Sequence, residues 1–182
     1  MILRVLFRIA TAGMLGVLLS ACWMSDKELI TEKSGAAVGF AGAYRETDAE
    51  HPDNLDLRIA PAGGTAYVMT NDKQDQVPVR FLDLGRDWYL MQYEGRSDEE
   101  GAGPYYIYLT LKRVGSDLHL FSSECKELTG KFKGMKREDG AVQACNFSRL
   151  DGLKSAAQSY IAQMERGAAV NEPKILKYVG PV

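Results

Sequence analysis

From residue 40 onward the chain alternates apolar and polar positions in short runs separated by turn-forming clusters. "FAGAYRE" opens the series. In "LDLRIA", Leu55, Leu57 and Ile59 fall on one side and Asp56 and Arg58 on the other, the period of two that marks a strand with one buried face. "PAGG" reverses the chain, "TAYVMT" follows, and "NDKQDQ" supplies the next polar turn. "VPVRFLDLG" then places Val77, Val79 and Phe81 on one face. Together with Leu55, Leu57 and Ile59 these are expected to point into one core. "DWYLMQYEG" carries bulky residues on both faces, "RSDEEGAG" is an exposed acidic loop, and "PYYIYLTLKRVG" reads as the longest strand. After "GSD" the chain returns as "LHLFSSE". Runs at this spacing predict an antiparallel meander forming a curved sheet or small barrel.

The pattern changes after residue 124. Cys125 to Gly140 is polar and lysine-rich and reads as a loop with a short helical turn, and "VQACNFSRL" reads as a further strand. In "DGLKSAAQSYIAQMERG", Leu153, Ala157, Tyr160, Ile161 and Met164 make one helical stripe, with Lys154, Gln158, Glu165 and Arg166 off it. Asp151 is the expected N-cap and Gly167 the stop. "KILKYVG" is expected to add an edge strand. The fold class is therefore mainly β (α+β): a single β-rich domain over 40–182, with one C-terminal amphipathic helix near 151–166 packed on the sheet.

The first residues follow another logic. Arg4 and Arg8 precede an apolar run, Ile9 to Leu19, of 11 residues, against roughly 20 for a helix that spans a bilayer. A longer membrane span would carry Arg8 toward hydrocarbon, at about 2.5–3.5 kcal/mol for a central position. Charge, a short apolar run and small residues form a secretory signal, here 1–21. Leu19-Ser20-Ala21-Cys22 resembles the lipobox of bacterial lipoproteins. The resemblance implies that the Cys22 thiol carries diacylglycerol, that cleavage precedes it, and that the new amino group is acylated. Two or three acyl chains, at about 0.8 kcal/mol per buried CH₂, hold a protein on a membrane permanently. Trp23, where an Asp would favour inner-membrane retention, implies the outer membrane, facing the periplasm. Residues 22–39, "WMSDKELITEKSGAAVG" after the cysteine, are expected to be a polar tether.

Composition sharpens this reading. Without Arg4 and Arg8 the chain has 20 basic against 24 acidic residues, a net charge of −4, which argues against nucleic acid as a partner. With Cys22 assigned to lipid, Cys125 and Cys145 are left. An oxidising periplasm favours a disulfide between them; two separate buried thiols are the alternative. No C-x-x-C pair occurs and only His51 and His119 are present, so no metal site is expected.

The search for chemistry finds little. Asp117, His119, Ser122 and Ser123 are close in sequence, but neighbours on a strand splay apart and make poor relay geometry. His51 lies in a turn-forming cluster, and Asp98, Glu99 and Glu100 lie in a Gly- and Ser-rich loop. Asn71, Asp72 and Asp75 lack the glycine and terminal Glu of a calcium loop. No catalytic residue and no cofactor is assigned.

Two groups are candidates for binding. Lys126, Lys131, Lys133, Lys136 and Arg137 form a basic cluster that either meets an anionic envelope polymer or is a solvated loop. Tyr89 and Tyr93 on one strand, and Tyr106 and Tyr108 on the next, face solvent, a cavity or the helix, and tyrosines suit an interface. Gly42-Ala43-Tyr44 on the first strand, the meander, the late helix and the short last strand resemble the lipocalin and other small-barrel lipoprotein pattern over Phe40 to Val179. Lipocalins carry Gly-x-Trp at that place, and no ligand residue transfers.

The expected function is a non-enzymatic binding or interaction module held by its lipid, with a periplasmic protein or envelope polymer as partner. The alternatives are a periplasmic inhibitor presenting the loop from Arg96 to Pro104 to a hydrolase, and a carrier of a small apolar ligand in a barrel cavity.

Overall fold

The computed structural model describes residues 23–46, 56–71, 74–95, 103–138, 144–168 and 171–182. Eleven strands lie among them: β1 (Trp23–Ser25), β2 (Gly42–Glu46), β3 (Asp56–Gly63), β4 (Ala66–Thr70), β5 (Gln76–Gly85), β6 (Trp88–Gly95), β7 (Tyr105–Val114), β8 (Asp117–Phe121), β9 (Met135–Glu138), β10 (Ala144–Phe147) and β11 (Lys174–Gly180). A 3₁₀ turn occupies Cys125–Glu127, and helix α1 spans Leu150–Glu165.

Eight of these strands close a barrel. The meander β2 to β8 pairs in sequence, and β11 closes the ring by pairing antiparallel with both β8 and β2. "KILKYVG" is thus the closing strand and not an edge. Lys174 and Lys177 flank Leu176, its only buried residue, so its local pattern resembles an edge strand and only the ring reveals its place.

The interior is filled by side chains from all eight barrel strands. Tyr44, Ile59, Met69, Phe81, Met91, Leu109, Leu118 and Leu176 represent them in one continuous cluster. Leu57, Ile59, Val79 and Phe81 are buried there and Val77 packs against them, as the alternation requires; Leu55 lies outside the described residues. Val38 and Phe40, from the segment before β2, enter the same cluster.

A second core lies outside the barrel wall. Leu82, Trp88, Leu90 and Tyr108 point outward from β5, β6 and β7 and meet Leu153, Ala157, Tyr160 and Ile161 of α1. β6 and the middle of β7 are buried on both faces, which explains the bulky residues on both sides of "DWYLMQYEG". The helical stripe packs as its period predicts. The helix ends in a Schellman motif: Gly167 takes φ +78°, its N–H donates to the Met164 carbonyl, and the Ala168 N–H donates to the Gln163 carbonyl. The N-cap is Arg149, not Asp151. Asp151 sits inside the first turn and accepts from Arg149 and from the Gly152 N–H, a place where the helix dipole favours a carboxylate.

Two further expectations are corrected. Residues 23–39 are not a spacer. Trp23 is fully buried, Ile30 equally so, and Leu29 and Val38 nearly so. β1 pairs antiparallel with β7 and parallel with β10. The large apolar residues are spaced too widely to form an amphipathic period, so the segment reads as polar although Trp23, Leu29, Ile30 and Val38 all enter a core. Within the expected loop after residue 124, residues 135–138 form a strand, because β9 pairs with β10 from Met135↔Phe147 to Glu138↔Ala144.

Candidate functional site

The sulfurs of Cys125 and Cys145 are bonded, with Cα atoms 5.3 Å apart and both residues buried. The bridge fastens the 3₁₀ turn to β10, and Trp23 pairs with Cys145 from the other side. Arg137 lies opposite Cys145 on β9. Its guanidinium donates to the Cys125 carbonyl at 3.0 Å and to the Leu128 carbonyl. Arg137 therefore completes the turn while its side chain stays at the surface.

The lysines of the basic cluster differ in their partners. Lys133 pairs with Asp151 at 3.1 Å. Arg149, then Lys133, hold the Asp151 carboxyl well below the usual carboxylate range. Lys126 pairs with Glu124, which also accepts from Asn171 at 2.7 Å; the bond from Lys126 is the main cause that lowers the Glu124 pKa. Lys131 and Lys136 remain exposed. Acidic residues from the turn and from α1 pair with Lys126 and Lys133, an arrangement that spacing along the chain does not disclose.

The tyrosines divide between the two cores, Tyr93 and Tyr108 buried and Tyr89 and Tyr106 half-buried. Tyr93 is buried inside the barrel, and Tyr89 packs against the same core with its ring 5.0 Å from Phe40. Tyr108 is buried in the outer core and Tyr106 packs at its margin. Burial pushes the hydroxyl pKa of Tyr93, Tyr108 and Tyr160 upward. That of Tyr44 is pushed up to about 12 by burial first and by the neighbouring Tyr178 second.

A buried residue that the sequence reading passed over organises this region. Gln92, only 3% exposed, lies on the outer face of β6 among apolar neighbours. Its Oε1 accepts from the N–H groups of Leu29 and Ile30 at 3.0 and 2.8 Å and from the Tyr108 hydroxyl at 3.1 Å. Its Nε2 donates to the Ile30 carbonyl at 3.1 Å. One amide thus satisfies the backbone of the N-terminal segment where that segment crosses the barrel wall. A lone glutamine between Met91 and Tyr93 was the only sequence signal. Beside it, Glu28, Arg80, Glu94 and Tyr106 line a cleft of about 220 Å³, with Arg80 bound to Glu28 at 2.8 Å.

The Ser123 hydroxyl is buried and bonded to Thr110 at 3.0 Å. Asp117 accepts from Lys177 at 2.7 Å and from the Tyr178 N–H, which lower its pKa. His119 lies on the opposite side of β8 from Leu118, level with Lys112 and Ile175. Asn71 and Asp75 bond each other within their own turn. Cys22, His51, Asp72, Asp98, Glu99 and Glu100 lie outside the described residues, as do residues 96–102 of the acidic loop. Among the described residues no helix is long and apolar enough to cross a membrane.

In comparisons with known proteins, no family model, no curated protein and no solved structure matches this chain. The likeness to small barrels is therefore architectural: a closed eight-strand barrel with extra strands and one helix against it. Gly42-Ala43-Tyr44 has a local reason within that architecture. A Cβ at Gly42 would lie 2.5 Å from the Tyr178 ring, and Tyr44 turns inward to donate its hydroxyl to the Phe40 carbonyl.

Proposed function

We propose that this chain is an envelope lipoprotein, acylated at Cys22 and held at the outer membrane facing the periplasm, whose barrel is a non-enzymatic interaction module acting through its outer surface. The observation that supports this reading best is the filled interior. All eight barrel strands contribute buried side chains, and Val38 and Phe40 add to them. Ligand carriers of this architecture need a roomy, apolar interior, so the filling counts against the carrier alternative. It leaves the outside of the barrel as the working surface. The anchor rests on the lipobox resemblance at Leu19 to Cys22.

The test follows the lipid and the interior together. Wild-type protein is expected to incorporate labelled palmitate and to fractionate with the outer membrane, whereas Cys22→Ser remains an unlabelled precursor. A fluorescent fatty-acid probe is expected not to bind the purified barrel at one-to-one stoichiometry. Label on the Cys22→Ser protein would refute the anchor, and saturable one-to-one probe binding would refute the filled-module reading. A soluble form for capturing partners should begin at Trp23, because a later start removes β1.

A further inference from the structure

Trp23 is the first described residue, and it is not exposed at all. Its ring packs 5.8 Å from Phe147 and 5.7 Å from Tyr160. Its backbone pairs with Cys145, and Met24 pairs with Ile107. The residue that follows Cys22 in the sequence is therefore already in the core. One residue extends the chain by at most about 3.6 Å, which leaves no length for a spacer.

We propose that the lipid is attached directly to the folded body, so that the flank where β1 begins rests on the phospholipid headgroup layer of the membrane that holds the protein. This rests on the lipoprotein reading above. The strand register says which flank it is. One edge of β7 is divided between two partners: β1 takes Tyr106 and Ile107, and β8 takes Thr110 to Val114. The chain enters β1 at the fork between them, beside the end of β8 at Phe121. β10 runs parallel to β1, so Ala144 and its partner Glu138 lie one step to the same side as the anchor. The disulfide brings the Cys125–Glu127 turn to that level. Lys126, Glu138 and Glu124 give the flank a polar surface of both signs. Such a surface suits headgroups, not hydrocarbon. Tension on the lipid would act as shear on β1, which is held by two ladders and backed by the Cys125–Cys145 bridge.

The test uses acylated protein purified from membranes and reconstituted in phosphatidylcholine vesicles carrying nitroxide on a fraction of the headgroups. The comparison is a variant with a Gly-Ser linker of about ten residues between Cys22 and Trp23, which reaches on the order of 35 Å when extended. Tryptophan fluorescence should be quenched in the natural protein, and the linker should abolish that quenching while both proteins float with the vesicles. Equal quenching in the two, or none in the natural protein, would overturn the direct attachment and leave the lipid anchor standing. Failure of the natural protein to float, with no acyl mass on its N-terminal peptide, would overturn the anchor and the flank together. Trp88→Phe, with the natural junction kept, reports on Trp23 alone, so the result does not depend on the linker variant folding.

Discussion

At the scale of single residues, two buried polar groups make opposite predictions. Gln92 uses its side-chain amide on three backbone groups and one hydroxyl. Gln92→Leu keeps the volume but strands those partners, and each buried group left unpaired costs about 1–3 kcal/mol. Denaturant unfolding should show a loss of at least about 3 kcal/mol. The Tyr93 hydroxyl is buried without a hydrogen-bond partner among the described residues. Tyr93→Phe removes that burden and should be neutral or stabilising by up to about 1 kcal/mol. A destabilisation of that size instead would mean that the hydroxyl has a partner.

At the scale of elements, the N-terminal segment and the disulfide-closed loop behave as parts of the barrel. A chain beginning at Ala36 loses Trp23, Leu29 and Ile30 from the outer core. It also strands the Gln92 amide and exposes the β7 and β10 edges. Full burial of a large apolar side chain contributes about 1.5–3 kcal/mol, so this truncation should unfold at a much lower temperature than a chain beginning at Trp23, or fail to fold. Equal melting temperatures would show the segment to be dispensable. Cys125 and Cys145 are 20 residues apart. Replacing both by Ser should cost roughly 3 kcal/mol by chain entropy, read as a lower unfolding midpoint, with β9 losing amide protection first. An unchanged midpoint would mean that Arg137 and the β9–β10 ladder hold the loop unaided.

At the scale of the whole molecule, two cores share one wall, and tyrosines are buried in both. The sign of the resulting pH dependence follows from the direction of their shifts. Tyr44, Tyr93, Tyr108 and Tyr160 keep their protons to higher pH when folded, while the unfolded chain releases them near pH 10. Above that pH the unfolded state binds fewer protons, so stability falls as pH rises. The full contribution is present below about pH 10, and the part from Tyr44 is lost as the pH passes its folded value of about 12. Phenolate absorbance should rise together with the loss of circular dichroism in this range. Phenolate appearing from these residues while the fold stays intact would contradict their burial.

Much of this was legible in the sequence because it depends on local periods. Alternation placed Leu57, Ile59, Val79 and Phe81 in one core, the helical stripe placed α1, and Gly167 ended it. The Cys125–Cys145 pairing followed once Cys22 was assigned elsewhere. Closure of the ring was not legible, because β11 is chosen by partners more than 50 residues away, Leu118 to Leu120 and Ala43 to Glu46. The fate of the candidate tyrosines and of Arg137 was not legible either. Alternation says that two faces differ, and only packing says which face the helix and β1 will cover. For the same reason the segment after Cys22 read as a tether. Its few apolar side chains and its backbone N–H groups are satisfied by Phe147, Tyr160 and Gln92, which only the folded chain brings to it.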